Sequence, residues 1–165
     1  VGGSGGTAGT GGAAGSGGSD GGIDGSLDAP SDGPSANIQP KITKNELFVN
    51  CQPPQGSDPV GGTFSVEYDN GAGTAAGQTK FTSIKATLTK GANTLDWTFL
   101  ATPDGSGNVG AGAKLTVTHT KTAGSGSGTG SGTPCSFCGG KMALTIQYDN
   151  GTTASLGAEN FTCAM

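Results

Sequence analysis

The chain has no arginine. Its positive charge rests on eight lysines against twelve acidic residues, a net charge of −4. Neutralising phosphates requires clustered Lys/Arg, so no nucleic acid partner is expected, and neither is attraction to anionic membrane surfaces. Aromatic residues make up 5% of the chain and charged residues 12%. No apolar run approaches the roughly 20 residues that a membrane-crossing helix needs, so no membrane span is expected. The chain starts at Val1 without an apolar leader, which reads as a chain processed or trimmed at its N-terminus.

Catalytic groups are equally scarce. His119 is the only histidine, and no strand–turn–helix nucleophile elbow accompanies it. It sits in phase with Leu115 and Val117 near the end of a strand-like run, which makes it a structural or exposed residue. Glu46, Glu67 and Glu159 are the only glutamates, and no facing acidic pair of the kind used in glycoside hydrolysis stands out. Asp104-Gly105-Ser106-Gly107-Asn108 offers a single carboxylate, whereas tight calcium loops use several, so it reads as a turn. No catalytic residue, cofactor or metal is expected, and the chain is not read as an enzyme.

What the chain has in excess is glycine, 34 residues of 165. Much of it lies in residues 1–35, a low-complexity Gly/Ser/Thr/Ala tail without lysine or aromatics. Such a segment buries too little apolar area to offset its ordering entropy. It is read as a tether, or as an arm that packs on a neighbouring subunit, where a backbone without Cβ atoms allows close approach.

Residues 36–165 change character to short β-type runs divided by turn residues. Leu47, Val49 and Cys51 alternate, as do Phe64, Val66 and Tyr68, then Ile84, Ala86 and Leu88, then Leu95, Trp97 and Phe99. Leu115, Val117 and His119 follow, then Leu144, Ile146 and Tyr148, and a last run ends at Phe161 and Cys163. Period-2 alternation places one face of each run inside and one in water. A second Gly/Ser-rich stretch, residues 124–132, reads as a loop interrupting this domain. Thr63–Gly71 and Ala143–Gly151 echo each other and both end in Asp-Asn-Gly, so both are expected to be strands entering hairpins. Trp97 alternates with core residues. Tyr68 and Tyr148 lie at strand ends and are the residues proposed for possible ligand contact, for instance with a surface glycan. Asn150-Gly151-Thr152 and Asn160-Phe161-Thr162 match the glycosylation acceptor pattern.

The four cysteines are Cys51, Cys135, Cys138 and Cys163, an even count that reads as two disulfides in an oxidising compartment. Cys135-Ser136-Phe137-Cys138 has the spacing of redox and zinc motifs, but Gly139-Gly140 and a strand pattern follow it rather than a helix. A structural zinc site normally adds a second close pair, and Cys51 and Cys163 are far apart in sequence. Two pairings fit: Cys51–Cys163 with Cys135–Cys138, or a crosswise arrangement. The first is preferred, because it closes the longest loop, worth about 4–5 kcal/mol in the chain-entropy picture.

The tail, with GGSGGTAGTGGAAGSGG, resembles the low-complexity tethers of bacterial surface proteins and lipoproteins, especially those of high-GC bacteria such as myxobacteria. The remainder resembles the immunoglobulin-like sandwiches of extracellular proteins. It departs from true immunoglobulin domains in its cysteines: Trp97 lies between Cys51 and Cys135, but the spacings are too long. The resemblance implies an all-β, immunoglobulin-like antiparallel β-sandwich, extracellular or on the cell surface. The expected function is structural, a fibre or coat subunit that self-associates. The alternative is a tethered binding module, an adhesin or carbohydrate-binding domain.

Overall fold

The computed structural model describes residues 33–165 except Gln55. The chain divides at Asp32/Gly33, and the expectations for the N-terminal tail lie outside the described residues. The described part is all-β, with ten strands: β1 (Gln39–Asn50), β2 (Val60–Asp69), β3 (Phe81–Lys90), β4 (Asn93–Thr98), β5 (Ala101–Thr102), β6 (Lys114–Lys121), β7 (Ser127–Gly130), β8 (Lys141–Tyr148), β9 (Thr153–Asn160) and β10 (Thr162–Ala164). A 3₁₀ turn at Pro134–Phe137 is the one helical element among the described residues.

The strands form two five-stranded sheets, in the orders β10-β1-β2-β6-β5 and β7-β4-β3-β8-β9. All pairings are antiparallel except β1 with β10, where Phe48, Val49 and Asn50 lie beside Thr162, Cys163 and Ala164. Two sheets with their apolar faces inward make a β-sandwich. The alternation seen in the sequence sets those faces: Phe64, Val66 and Tyr68 of β2 and Leu144, Ile146 and Tyr148 of β8 are all buried. Each large apolar side chain withdrawn from water contributes about 1.5–3 kcal/mol against the chain's ordering cost.

Two local expectations are corrected. The stretch 124–132 is not simply a loop, because Ser127–Gly130 forms edge strand β7, with Gly128 beside Trp97 and Gly130 beside Leu95. Its composition has a steric cause. A Cβ on Gly128 would lie 2.6 Å from the Trp97 ring, so only glycine lets this strand lie flat over the indole. The second correction concerns Asp69-Asn70-Gly71. β8 enters a hairpin with β9, with Gly151 at φ +80° in the turn, but β2 pairs with β1 and β6 and hands the chain to β3 in the other sheet. Asn70 diverts it. Fully buried, its amide donates to the carbonyls of Ala75, Val109 and Gly110, and its Oδ1 accepts from the Asn37 N–H at 2.8 Å. The side chain thus bonds a connection between sheets instead of a two-residue hairpin.

Gly128→Ala should destabilise the domain by about 1–3 kcal/mol through overpacking against Trp97. The denaturant midpoint should fall and the tryptophan emission should shift, while the equivalent change at solvent-facing Gly157, which has open space for a Cβ, should leave both close to wild type.

Candidate functional site

The one histidine and both tyrosines lie in the interior, where packing occupies them. His119 on β6 is fully buried among Phe64, Tyr68 and Phe81. Its ring stacks on Phe64 at 5.2 Å between centroids and meets the edge of Phe81 at 4.8 Å. Nδ1 lies 2.7 Å from the Pro103 carbonyl oxygen, which can only accept, so Nδ1 carries the proton. Nε2 then accepts from the Tyr68 hydroxyl at 3.1 Å. Burial pushes the imidazole pKa below its usual value, against a smaller opposing effect of the Pro103 hydrogen bond. A neutral imidazole with both nitrogens engaged is a structural group.

Tyr68 and Tyr148 are also inside, 0% and 3% exposed, packed edge to face at 6.0 Å. Their proposed role as surface ligand contacts is therefore corrected. Both continue the inward phase of their strands, and Phe81 and His119 close over them. Burial, with the neighbouring Tyr148, raises the Tyr68 pKa, and burial pushes Tyr148 up to about 12, so both stay protonated at neutral pH.

A second polar cluster was not foreseen. Lys121, the last residue of β6, makes an ion pair with Asp58, and their side chains are 1% and 3% exposed. Asp58 also accepts from the Gly126 N–H at 2.9 Å and the Trp97 indole N–H at 3.3 Å, while Lys121 donates to the Thr122 carbonyl at 3.1 Å. Burial acts to raise the Asp58 pKa, but the hydrogen bonds and charge of Lys121, with Gly126 and Trp97, outweigh it and hold it low. The alternation Val117, His119, Lys121 does point the lysine inward. Asp58 lies in a loop without periodic signal. Ion pairs on the sheet faces, such as Lys44–Glu46 and Lys114–Asp69, are solvated and individually worth little.

The four cysteines meet at one place. β1 delivers Cys51, β10 delivers Cys163, and the 3₁₀ turn carries Cys135 and Cys138. The disulfides are Cys51–Cys135 and Cys138–Cys163, the crosswise arrangement, which corrects the preferred Cys51–Cys163 pairing. The parallel β1–β10 ladder sets Cys163 beside Val49, two residues before Cys51, so both cysteines meet the C-x-x-C turn at the same end of the sheet. In the chain-entropy picture the loops, with separations of 84 and 25 residues, contribute about 4.5 and 3.5 kcal/mol.

Asp104-Gly105-Ser106-Gly107-Asn108 is absorbed by the fold. The Ser106 hydroxyl accepts from the Thr79 N–H at 2.9 Å and donates to the Gly107 carbonyl, and Asp104 pairs with Lys80 at 3.2 Å.

Two outward-facing features of the described residues bear on association. A cleft of about 350 Å³ opens where β4 leaves for the other sheet, lined by Phe81, Ile84, Phe99 and the 67% exposed Leu100. The other is the sheet edge at β9. The edge strands β5, β7 and β10 are two to four residues long, whereas β9 has eight, with Glu159 its one charge and no proline. Its pairing with β8 is regular from Thr153 to Leu156 and slips near Gly157–Ala158. No family model, curated protein or solved structure matches the chain.

Removing one member of the buried pair should be costly: Lys121→Met leaves a buried carboxylate uncompensated and is expected to cost about 3–5 kcal/mol. Adding Asp58→Asn, which keeps an acceptor for Trp97 and Gly126 without the charge, should recover part of it in chemical denaturation. His119 yields a pH dependence. The unfolded imidazole takes up its proton near 6.5 and the folded one resists below that. Its contribution is complete above the unfolded pKa and is lost as pH falls toward the folded one. Stability should decline as pH falls through the unfolded value of 6.5, and His119→Gln should flatten that slope.

Proposed function

We propose that the chain is an extracellular or cell-surface structural subunit that self-associates into a fibre or coat, and that its described part is an immunoglobulin-like sandwich. The strand order supports the second statement: β1-β2-β6-β5 against β4-β3-β8-β9 is the arrangement of an immunoglobulin-like domain, with β10 running parallel to β1. Two disulfides suit an oxidising location.

The observation that carries the structural role is the edge of β9. Proteins that must stay apart protect such edges with short strands, prolines and lysines. β1, whose outer edge is paired among the described residues only at Phe48–Asn50, carries Pro40, Lys41 and Lys44. β9 offers Thr153-Ala154-Ser155-Leu156 in regular register and without charge. An extended arm from a neighbouring subunit would add there as a strand, and the glycine-rich tail is the arm proposed for it. The second reading, a tethered binding module, is supported by the cleft beside Leu100, whose volume is within the range of ligand sites. A glycan-binding version of it lacks the two tyrosines first proposed for contact.

Size measurement and electron microscopy of the native protein should show polymers or filaments. Lysines placed on the exposed edge, Ser155→Lys with Ala158→Lys, should reduce the assembled fraction while leaving the melting transition of the domain in place. A monodisperse monomer at every concentration would sink the structural reading and leave the binding module.

A further inference from the structure

In the sequence, Cys51 and Cys163 are too remote from Cys135-x-x-Cys138 to look like the second half of a metal site. The fold removes that objection. The sulfurs of Cys51, Cys138 and Cys163 all lie within 4.8 Å of one another. Cys51 Sγ and Cys138 Sγ, which belong to different disulfides, are only 3.6 Å apart. Cys135 is bonded to Cys51, so all four sulfurs form one cluster.

A tetrahedral zinc–thiolate centre has Zn–S bonds of about 2.3 Å, which sets its sulfur–sulfur edges at about 3.8 Å. The Cys51–Cys138 separation already has that length. With the two S–S bonds opened, each bonded pair has to spread by less than about 2 Å, a movement within reach of rotations about the cysteine side-chain bonds. The backbone around the turn also suits a cation. Cys135 and Cys138 are spaced as C-x₂-C, and the Cys138 N–H donates to the Cys135 carbonyl at 3.3 Å, folding the two side chains to one side. Gly139 follows at φ +82°, and Gly140 passes so close to the Thr89 carbonyl that a Cβ would collide with it. The turn thus packs directly against β3, with Phe137 buried in the core. Lys90 donates to the Ser136 carbonyl at 3.3 Å, which sets a positive charge beside a centre that would carry net negative charge.

We propose that Cys51, Cys135, Cys138 and Cys163 form a second functional site: in the reduced chain they bind one zinc-class divalent cation, and in the oxidised chain they form the two disulfides. The exchange balances. A thiol or phosphine reductant supplies two electrons to each disulfide, each S–S bond breaks, and two protons complete the thiols, four thiols in all. For each bond broken, two thiol molecules end as one disulfide of their own and give up the two protons, or one phosphine ends as its oxide, with water supplying the oxygen and the two protons. The cation then displaces the four thiol protons and is held by four thiolates. The cysteines thus serve the same pole before and after oxidation, with the cation standing in for the staples.

The test uses the full-length protein, reduced with a phosphine under anaerobic conditions and titrated with Co²⁺. The expected result is saturation at one cobalt per chain with the visible bands of tetrahedral cobalt thiolate, abolished by stoichiometric Zn²⁺. Cys163→Ser, reduced in the same way, should bind cobalt at least about 10-fold more weakly, the low end of what losing even a supporting residue costs at a zinc site. Cobalt that stays in its octahedral aqueous form, or binding unchanged in Cys163→Ser, overturns the proposal. If the reduced chain unfolds, recovery of the near-ultraviolet circular dichroism on adding Zn²⁺ supports it. A chain that remains unfolded with the cation present, whether or not cobalt binds, overturns it.

Discussion

The buried pair of Asp58 and Lys121 is the constraint around which one end of the sandwich is arranged. Charges taken out of water cost several kcal/mol each unless every lone pair and proton is met. Asp58 is met by Lys121, the Gly126 N–H and the Trp97 indole, and Lys121 also reaches the Thr122 carbonyl. These partners come from the approach to β2, from β4, from the end of β6 and from the segment leading into β7. Once they converge, the chain after β6 has to run past Trp97 at very short range. Glycine at 126 and 128 is what allows this, and β7 is the outcome. A pair whose net contribution to stability is small can therefore still specify which strands meet.

Around His119 the same rule applies with neutral groups. The imidazole joins the Pro103 carbonyl to the Tyr68 hydroxyl, and aromatic rings fill the remaining space. Asn70 does so for the connection between sheets. The polar groups within the sandwich hold the fold, so the functional readings rest on its periphery: the β9 edge, the cleft at Leu100 and the cysteine pole. The first two bear on association and the third on how one end of the domain is closed. They are separate places in the fold and can be tested separately.

Most strands were legible because alternation is a local property. The runs ending at Cys51, Tyr68, Leu88, Phe99 and Tyr148 all correspond to strands, and Trp97 is in the core as its phase implied. Other features failed for identifiable reasons. β7 was missed because Ser-Gly-Thr-Gly has no apolar face, since the face it completes belongs to Trp97. Leu115 shares the inward phase of β6 yet is 38% exposed. The two tyrosines were assigned by their position at strand ends, although their phase already pointed inward. The two Asp-Asn-Gly turns look alike in sequence and act differently, because the buried Asn70 side chain finds three carbonyls of other segments while Asn150 finds Ile38 and its own turn.

The sequence by itself determined that this is an all-β domain with disulfides and which face of most strands turns inward, because pleating places successive side chains on opposite sides whatever the strand's partners are. It also limited the chemistry, with one histidine and no arginine. Only the tertiary structure decided which cysteines pair, that Lys121 meets Asp58, and that the glycine-rich stretch after β6 becomes a strand. Each of those depends on the order of strands in two sheets and on the parallel placement of β10 against β1. That order arises from contacts between residues far apart in the chain, which no local pattern encodes.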